Sequence, residues 1–195
     1  AHYDFQQGQV RRSLLLDSRA DLLVHGPGEK QAVAIAHALR RGTPAAEIDI
    51  PGTARLWPVL PQDKGAVELP SCEEVEADPD RLLEAQRLLQ EAGGRRAVAQ
   101  RHASRWVVLN PAENYDGHDL DRIYGLGYER RHPGRSGYSP ALRMNLFSVT
   151  SHRGCAGGCS FCSITQSEGR RVVSRSPESI LGEIRSLAAH PQWRG

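Results

Sequence analysis

Apolar positions along the chain follow two different spacings. The stretch Ala20-Asp21-Leu22-Leu23-Val24-His25 is a short apolar run that predicts a buried strand. It continues into Gly26-Pro27-Gly28-Glu29. Ala32, Val33, Ile35, Ala36 and Leu39 then recur at helical spacing as far as Arg40, and Gly42 ends the helix. Strand, glycine turn and helix together predict an α/β unit of the doubly wound kind. The turn could receive an anion at the helix N-terminus, although a tight βα turn explains the glycines without a ligand.

Further along, the pattern alternates between loop and element. Residues 51 to 70 hold Pro51, Gly52, Pro58, Pro61, Gly65 and Pro70, and predict loop with at most a short strand or two. Asp78-Pro79 supplies an N-cap and a first helical position. Leu82, Leu83, Ala85, Leu88 and Leu89 then form an apolar stripe up to Gly93-Gly94. Arg105 to Leu109, with Trp106, Val107 and Val108, predicts a second buried strand. Residues 110 to 140 are rich in Asn, Gly, Pro and Tyr and predict a bridge with one short helix at Leu120 to Tyr124. Asn145 to Thr150 is a strand candidate running straight into Ser151-His152-Arg153-Gly154-Cys155. Gly169 to Arg175 predicts a short extended piece, and Ser176-Pro177-Glu178 opens a helix containing Ile180, Leu181, Ile184 and Leu187. These elements divide the chain into an α/β domain with its connecting segment over 1–140 and a second domain beginning at 141.

Composition narrows the class. The chain has 195 residues, 39% hydrophobic and 25% charged, ordinary values for a globular protein with one core and part of a second. No apolar run reaches the roughly 18 residues of a membrane span and no secretory leader is visible, so a cytoplasmic protein without a membrane partner is expected. The chain begins at Ala1 rather than Met and ends at Gly195 just after a helix, which predicts a fragment of a longer protein. Net charge is only +2, and Lys30 and Lys64 are the only lysines. The arginines Arg130, Arg131, Arg135, Arg143, Arg153, Arg170, Arg171 and Arg175 leave nucleic-acid binding open, but a scattered Arg-rich surface usually serves solubility.

Four cysteines change the picture most. Cys72 stands alone in Leu69-Pro70-Ser71-Cys72 and is expected to be a small buried residue. The other three lie within Cys155-Ala156-Gly157-Gly158-Cys159-Ser160-Phe161-Cys162, a C-x3-C-x2-C run. A tight cluster of odd count fits a reduced site better than a secreted disulfide framework. Soft thiolates suit the irons of a cubane cluster, and three close ligands can hold three of its corners. Gly157 and Gly158 allow a sharp turn that could bring N–H groups towards cluster sulfurs. The missing fourth ligand leaves one iron open to a co-substrate, the same distinction that separates catalytic from structural metal sites. A Cys3His zinc site using His152, or a thiol redox site, are the plainer readings of the same residues. Neighbouring zinc ligands more often come as two separated pairs.

The C-x3-C-x-aromatic-C form, with Phe161 as the aromatic, resembles the radical SAM superfamily. Residues Arg153-Gly154-Cys155 through Ser163-Ile164, Gly169-Arg170, Ser174-Arg175-Ser176, Ser179-Ile180 and Glu183-Ile184 closely resemble its YgiQ-type members. Arg11-Arg12-Ser13, Leu15-Leu16-Asp17, Ala20-Asp21-Leu22-Leu23, Leu69-Pro70-Ser71 and His132-Pro133 extend the likeness over most of the chain. The resemblance implies a cobalamin-binding-like α/β domain, then a partial (β/α) barrel with the triad on the loop after its first strand. It implies a 4Fe-4S cluster on Cys155, Cys159 and Cys162, and S-adenosylmethionine (SAM) with its adenine against the backbone near Phe161. It further implies reductive cleavage of SAM to a 5′-deoxyadenosyl radical, an electron from a low-potential donor such as flavodoxin, and a substrate that stays unnamed. Gly169-Arg170 and Ser174-Arg175-Ser176-Pro177 are also similar to methylthiotransferases acting on tRNA. A non-catalytic zinc-stabilised module is the alternative from another class. Asp4-Phe5-Gln6-Gln7-Gly8 is not a D-x-H-x-x-G motif, so no bound cobalamin is expected. The glycine-rich SAM-binding motif is expected beyond Gly195.

His152 is expected at the surface or behind the ligands. Arg153 is either a partner for cofactor charge or a surface residue. Arg170 and Arg175 either face the site or form ion pairs, and Glu178 and Glu183 are expected on a helix surface.

Overall fold

Helices form where the chain closes their ends, and the computed structural model describes this for residues 1–131 and 140–193. His132, Pro133 and Arg135 lie outside the described residues. Cα packing divides the chain into two compact units, Ala1–Glu113 and Asn114–Gly195.

The first unit opens with an antiparallel hairpin of β1 (His2–Asp4) and β2 (Gln9–Arg11). A short helix α1 (Leu14–Asp17) follows, capped by Ser13. The expected strand is β3 (Leu22–Val24) and the expected helix is α2 (Glu29–Arg40). Between them Gly28 holds φ at +90°, in the left-handed region that favours glycine. Next come β4 (Thr53–Trp57), β5 (Val67–Leu69), α3 (Cys72–Ala77) and α4 (Pro79–Ala92). Ser71 and Glu74 close a reciprocal capping box on α3, with the Glu74 N–H donating to Ser71 Oγ at 3.2 Å. On α4 Asp78 accepts from the Asp80 N–H at 2.9 Å, Pro79 takes the first position, and Gly93 ends the helix at φ +57°. Strands β6 (Val98–His102) and β7 (Arg105–Leu109) complete the unit.

These strands form one five-stranded sheet in the order β3-β4-β7-β6-β5. An α/β domain is therefore present, but the sheet is mixed rather than doubly wound. β3–β4, β4–β7 and β7–β6 are antiparallel, and only β5–β6 is parallel, across the α3–α4 connection. The reason is pairing. α2 returns the chain to an antiparallel neighbour, and the β6–β7 hairpin inserts β7 beside β4. β3 is an edge strand, so its residues are half-buried or exposed where the apolar run predicted burial. β7 fulfils that prediction, with Val107 and Val108 buried beside Ala54, Val98 and Ala99.

Where β7 ends, a buried side chain ties it to the turn before β4. The Asn110 Nδ2 amide donates to Asp49 Oδ1 at 2.7 Å and to the Ile50 carbonyl at 3.0 Å. Its Oδ1 accepts from Lys64 Nζ at 2.8 Å, and Lys64 also pairs with Asp49 at 2.7 Å. Such a network is stabilising only while every member is satisfied.

Cys72 is 4% exposed at the start of α3, as expected of a small core residue, and burial pushes its thiol up to about 11. His102 on β6 is also buried, and neither ring nitrogen has a hydrogen-bond partner among the described residues. Burial holds its imidazole down at about 4. The unfolded chain takes up that proton near pH 6.5, whereas the folded one resists it until about 4. His102 thus contributes full stability above pH 6.5, and the contribution falls away as pH drops from 6.5 towards 4. Urea unfolding at pH 7.5 and pH 5 is expected to differ by the part of this loss between those two values, about 2 kcal/mol. His102→Leu should flatten it, and an equal pH slope in that variant would refute the assignment.

The second unit begins with α5 (Gly117–Tyr124), whose capping box pairs Asp116 with Asp119. It contacts α8 (Pro177–Ala188) and β9 (Val173–Ser174). The helix of the predicted bridge thus packs within the second unit. α6 (Pro140–Asn145), β8 (His152–Arg153) and α7 (Ile164–Ser167) complete the unit. The strand expected over 145–150 does not form. α6 occupies its start, a turn closes at Ser148, whose N–H donates to the Asn145 carbonyl at 3.1 Å, and the ladder is confined to β8 pairing antiparallel with β9. α8 opens as the sequence predicts, on Ser176, whose hydroxyl accepts from the Ser179 N–H at 3.1 Å. Buried apolar side chains of this unit are few among the described residues: Leu120, Ile123, Leu146 and Leu187. Among the described residues no helix is long and apolar enough to cross a membrane.

Candidate functional site: the cysteine loop

The three clustered cysteines lie on the loop that leaves β8 and enters α7. Two backbone features set its path. Gly154 sits at φ +89°, and a Cβ there would stand 2.1 Å from the Arg171 carbonyl oxygen, so only glycine lets the two segments approach. The Cys155 N–H then donates to the Gly169 carbonyl at 3.1 Å, pinning the first cysteine to the segment before β9. Past it, Gly158 turns the chain at φ +63°, as the paired glycines predict, and the Arg170 guanidinium lies 2.7 Å from where its Cβ would stand.

The thiols are free, with Cys155 and Cys162 half-buried and Cys159 exposed. Cys155 Sγ and Cys159 Sγ flank one point, the Cβ position of Gly157, at 3.4 and 3.7 Å. The Gly157 N–H points at Cys155 Sγ at 3.4 Å. The Cys162 N–H closes a turn on the Cys159 carbonyl at 3.1 Å, and Phe161, within that turn, is 90% exposed. Among the described residues no three His, Cys, Asp or Glu side chains are gathered closely enough to hold a metal ion. Two sulfurs lie on either side of Gly157, and the third shares a turn with Cys159. The donor set, three soft thiols with an amide aimed at one of them, fits an iron–sulfur cubane held at three corners.

Neighbouring residues divide differently from expectation. His152 is exposed and its Nδ1 lies 2.9 Å from Ser151 Oγ. Arg153 is more than a surface residue. Its Nε donates to Tyr124 Oη at 3.1 Å, and its guanidinium lies 5.2 Å from the centre of that ring. Arg175 resolves as an ion pair, buried against Glu183, with its guanidinium 4.6 Å from the centre of the Tyr124 ring. Glu183 is not on the helix surface: its carboxylate takes Arg130 on one oxygen and Arg175 on the other. Glu178 is exposed in the first turn of α8. Asp121 on α5 accepts the Ser176 N–H at 2.9 Å, and its bonds to the Ser176 hydroxyl and N–H hold its carboxyl below the usual range. Sequence reasoning missed Arg130, Glu183 and Asp121 as site-building residues. The opening Ser-Pro-Glu of α8 marks the helix rather than its ion pair.

A UPF0313 protein of Geobacter sulfurreducens is 45% identical over the whole chain, one of Methanocella arvoryzae 41%, and one of Methanocaldococcus jannaschii 38%. The chain spans about a third of the length of each, 33%, 34% and 33% respectively. No solved structure matches. The family described as Radical SAM N-terminal matches residues 1–148, which hold the mixed sheet, α5 and α6 and end just before β8 and the cysteine loop. With three quarters of its length under that match, the chain belongs to the radical SAM N-terminal family.

Proposed function

We propose that the whole protein is a radical SAM enzyme, and that residues 141–195 open its partial (β/α) catalytic barrel. The observation that carries this reading is the C-x3-C-x2-C loop, which follows directly on the N-terminal family region. Cys155, Cys159 and Cys162 would hold a 4Fe-4S cluster. When bound, that group supplies the electron that cleaves SAM reductively to a 5′-deoxyadenosyl radical.

The chain's own residues contribute placement. Gly154 and the Cys155–Gly169 backbone bond fix the first thiol. The Gly157 N–H faces the Cys155 sulfur at 3.4 Å and so helps orient it. Arg170, against Gly158, brings positive charge beside a loop that would carry three thiolates. Phe161 leaves its ring and adjoining backbone open to the adenine of SAM.

Full-length protein reconstituted anaerobically with iron and sulfide is expected to bind about four of each per chain. Protein that stays colourless, or that takes up stoichiometric zinc and no iron, would sink the reading and favour a zinc module.

A further inference from the structure

We infer that Glu183, Arg175 and Arg130 are positioning residues for the cysteine loop, a clamp that fixes the lead-in to Cys155; this rests on the radical SAM reading above. Glu183 on α8 is bridged by both guanidiniums, Arg175 on one oxygen and Arg130 on the other. Both arginines then grip the backbone that precedes β8. Arg175 Nη1 donates to the Thr150 carbonyl at 2.9 Å and its N–H to the Ser151 carbonyl at 3.0 Å. Arg130 Nη1 donates to the carbonyls of Leu146 at 2.9 Å and Ser148 at 3.1 Å.

This is the stretch where the predicted strand is missing. Its carbonyls at 146, 148, 150 and 151 are taken by arginines on other segments, where a strand would bond its neighbours in a sheet. Arg130 adopts φ +47° to do so, a conformation costly for a residue with a Cβ. The remaining Arg175 donors reach Ser179, with Nη2 at 3.1 Å from its carbonyl and 2.9 Å from its hydroxyl. Each buried donor is therefore satisfied, the condition under which a buried ion pair holds geometry. From Ser151 the path to Cys155 is four residues, through β8 and the tightly packed Gly154. A unit with so small an apolar core has few other means of fixing that path.

The test uses full-length protein, reconstituted anaerobically beside wild type. Glu183→Gln is expected to lose roughly 10-fold in apparent iron affinity, as when residues that orient metal ligands are removed. The line shape of its reduced cluster in electron paramagnetic resonance should change while far-ultraviolet circular dichroism stays as wild type. Arg175→Lys keeps the charge but not the fork, and is expected to give the same spectral change to a smaller degree. Asn110→Ala, in the first unit, is expected to lower the melting temperature and leave the spectrum unchanged, which separates positioning from general destabilisation. Should Glu183→Gln not fold, Arg130→Gln removes only the outer arm and carries the same expectation. A folded Glu183→Gln, or that substitute, with wild-type iron affinity and spectrum overturns the clamp alone. Wild type that binds no iron overturns the radical SAM reading and the clamp with it.

Discussion

Full-length protein carrying Cys159→Ala is expected to lose nearly all of its reconstituted iron and sulfide, with the brown thiolate-to-iron absorption falling alongside. Cys159 Sγ and Cys155 Sγ are the two that already flank Gly157. Removing either leaves a cubane tethered by two thiolates, and chelation through one short loop loses its advantage. The same result is expected for Cys155→Ala and Cys162→Ala. Cys72→Ser provides the contrast. That thiol is 4% exposed in the first unit, bonded to Glu76 at 3.6 Å, and its loss should leave iron content unchanged. Metal and sulfide assays on the four variants decide the matter. Equal iron in Cys159→Ala and wild type would mean that the loop is not the cluster's anchor.

Gly154→Ala is expected to have the second largest effect. At φ +89° a side chain is strained by about 1–3 kcal/mol in any surroundings. Here the new Cβ would also stand 2.1 Å from the Arg171 carbonyl oxygen and 2.9 Å from its carbon, both backbone atoms that cannot rotate away. The two segments must part, which breaks the Cys155–Gly169 bond and the Arg153–Val173 pairing. Gly169→Ala is the control, since Gly169 has a similar φ of +87° but nothing within 4 Å of the added Cβ. Hydrogen exchange at the Cys155 amide should accelerate far more in Gly154→Ala than in Gly169→Ala, and iron content should fall in the first only. Matching exchange rates in the two variants would refute the close-approach argument.

Local chemistry made much of the structure legible in the sequence. Asp78-Pro79 with Gly93 and Ser176-Pro177 mark the ends of α4 and the start of α8, because caps act over a few residues and their signals are contiguous. The cysteine spacing is local in the same sense, and all three thiols lie on the one loop between β8 and α7. Sheet direction was not legible. Whether β4 meets β3 and β7 in antiparallel fashion is decided by partners dozens of residues away, and an apolar run such as Ala20 to His25 carries no sign of which neighbour it will have. The run from Asn145 to Thr150 misled for a related reason. Its composition suits a strand, but Pro140 starts a helix that consumes its first residue, and arginines take the carbonyls that a strand partner would need. The Arg130–Glu183–Arg175 clamp draws on positions far apart in the chain, and no spacing rule joins them.

The distribution of sulfur between the two units has a consequence for how the molecule ages in air. Only one of the four thiols lies before Glu113, and burial holds it protonated, at about 11. Oxidants attack the thiolate and reach it only where it is accessible. Sulfenic and sulfinic damage therefore falls on Cys155, Cys159 and Cys162, and the five-stranded sheet, all of whose ladders lie before Glu113, is spared it.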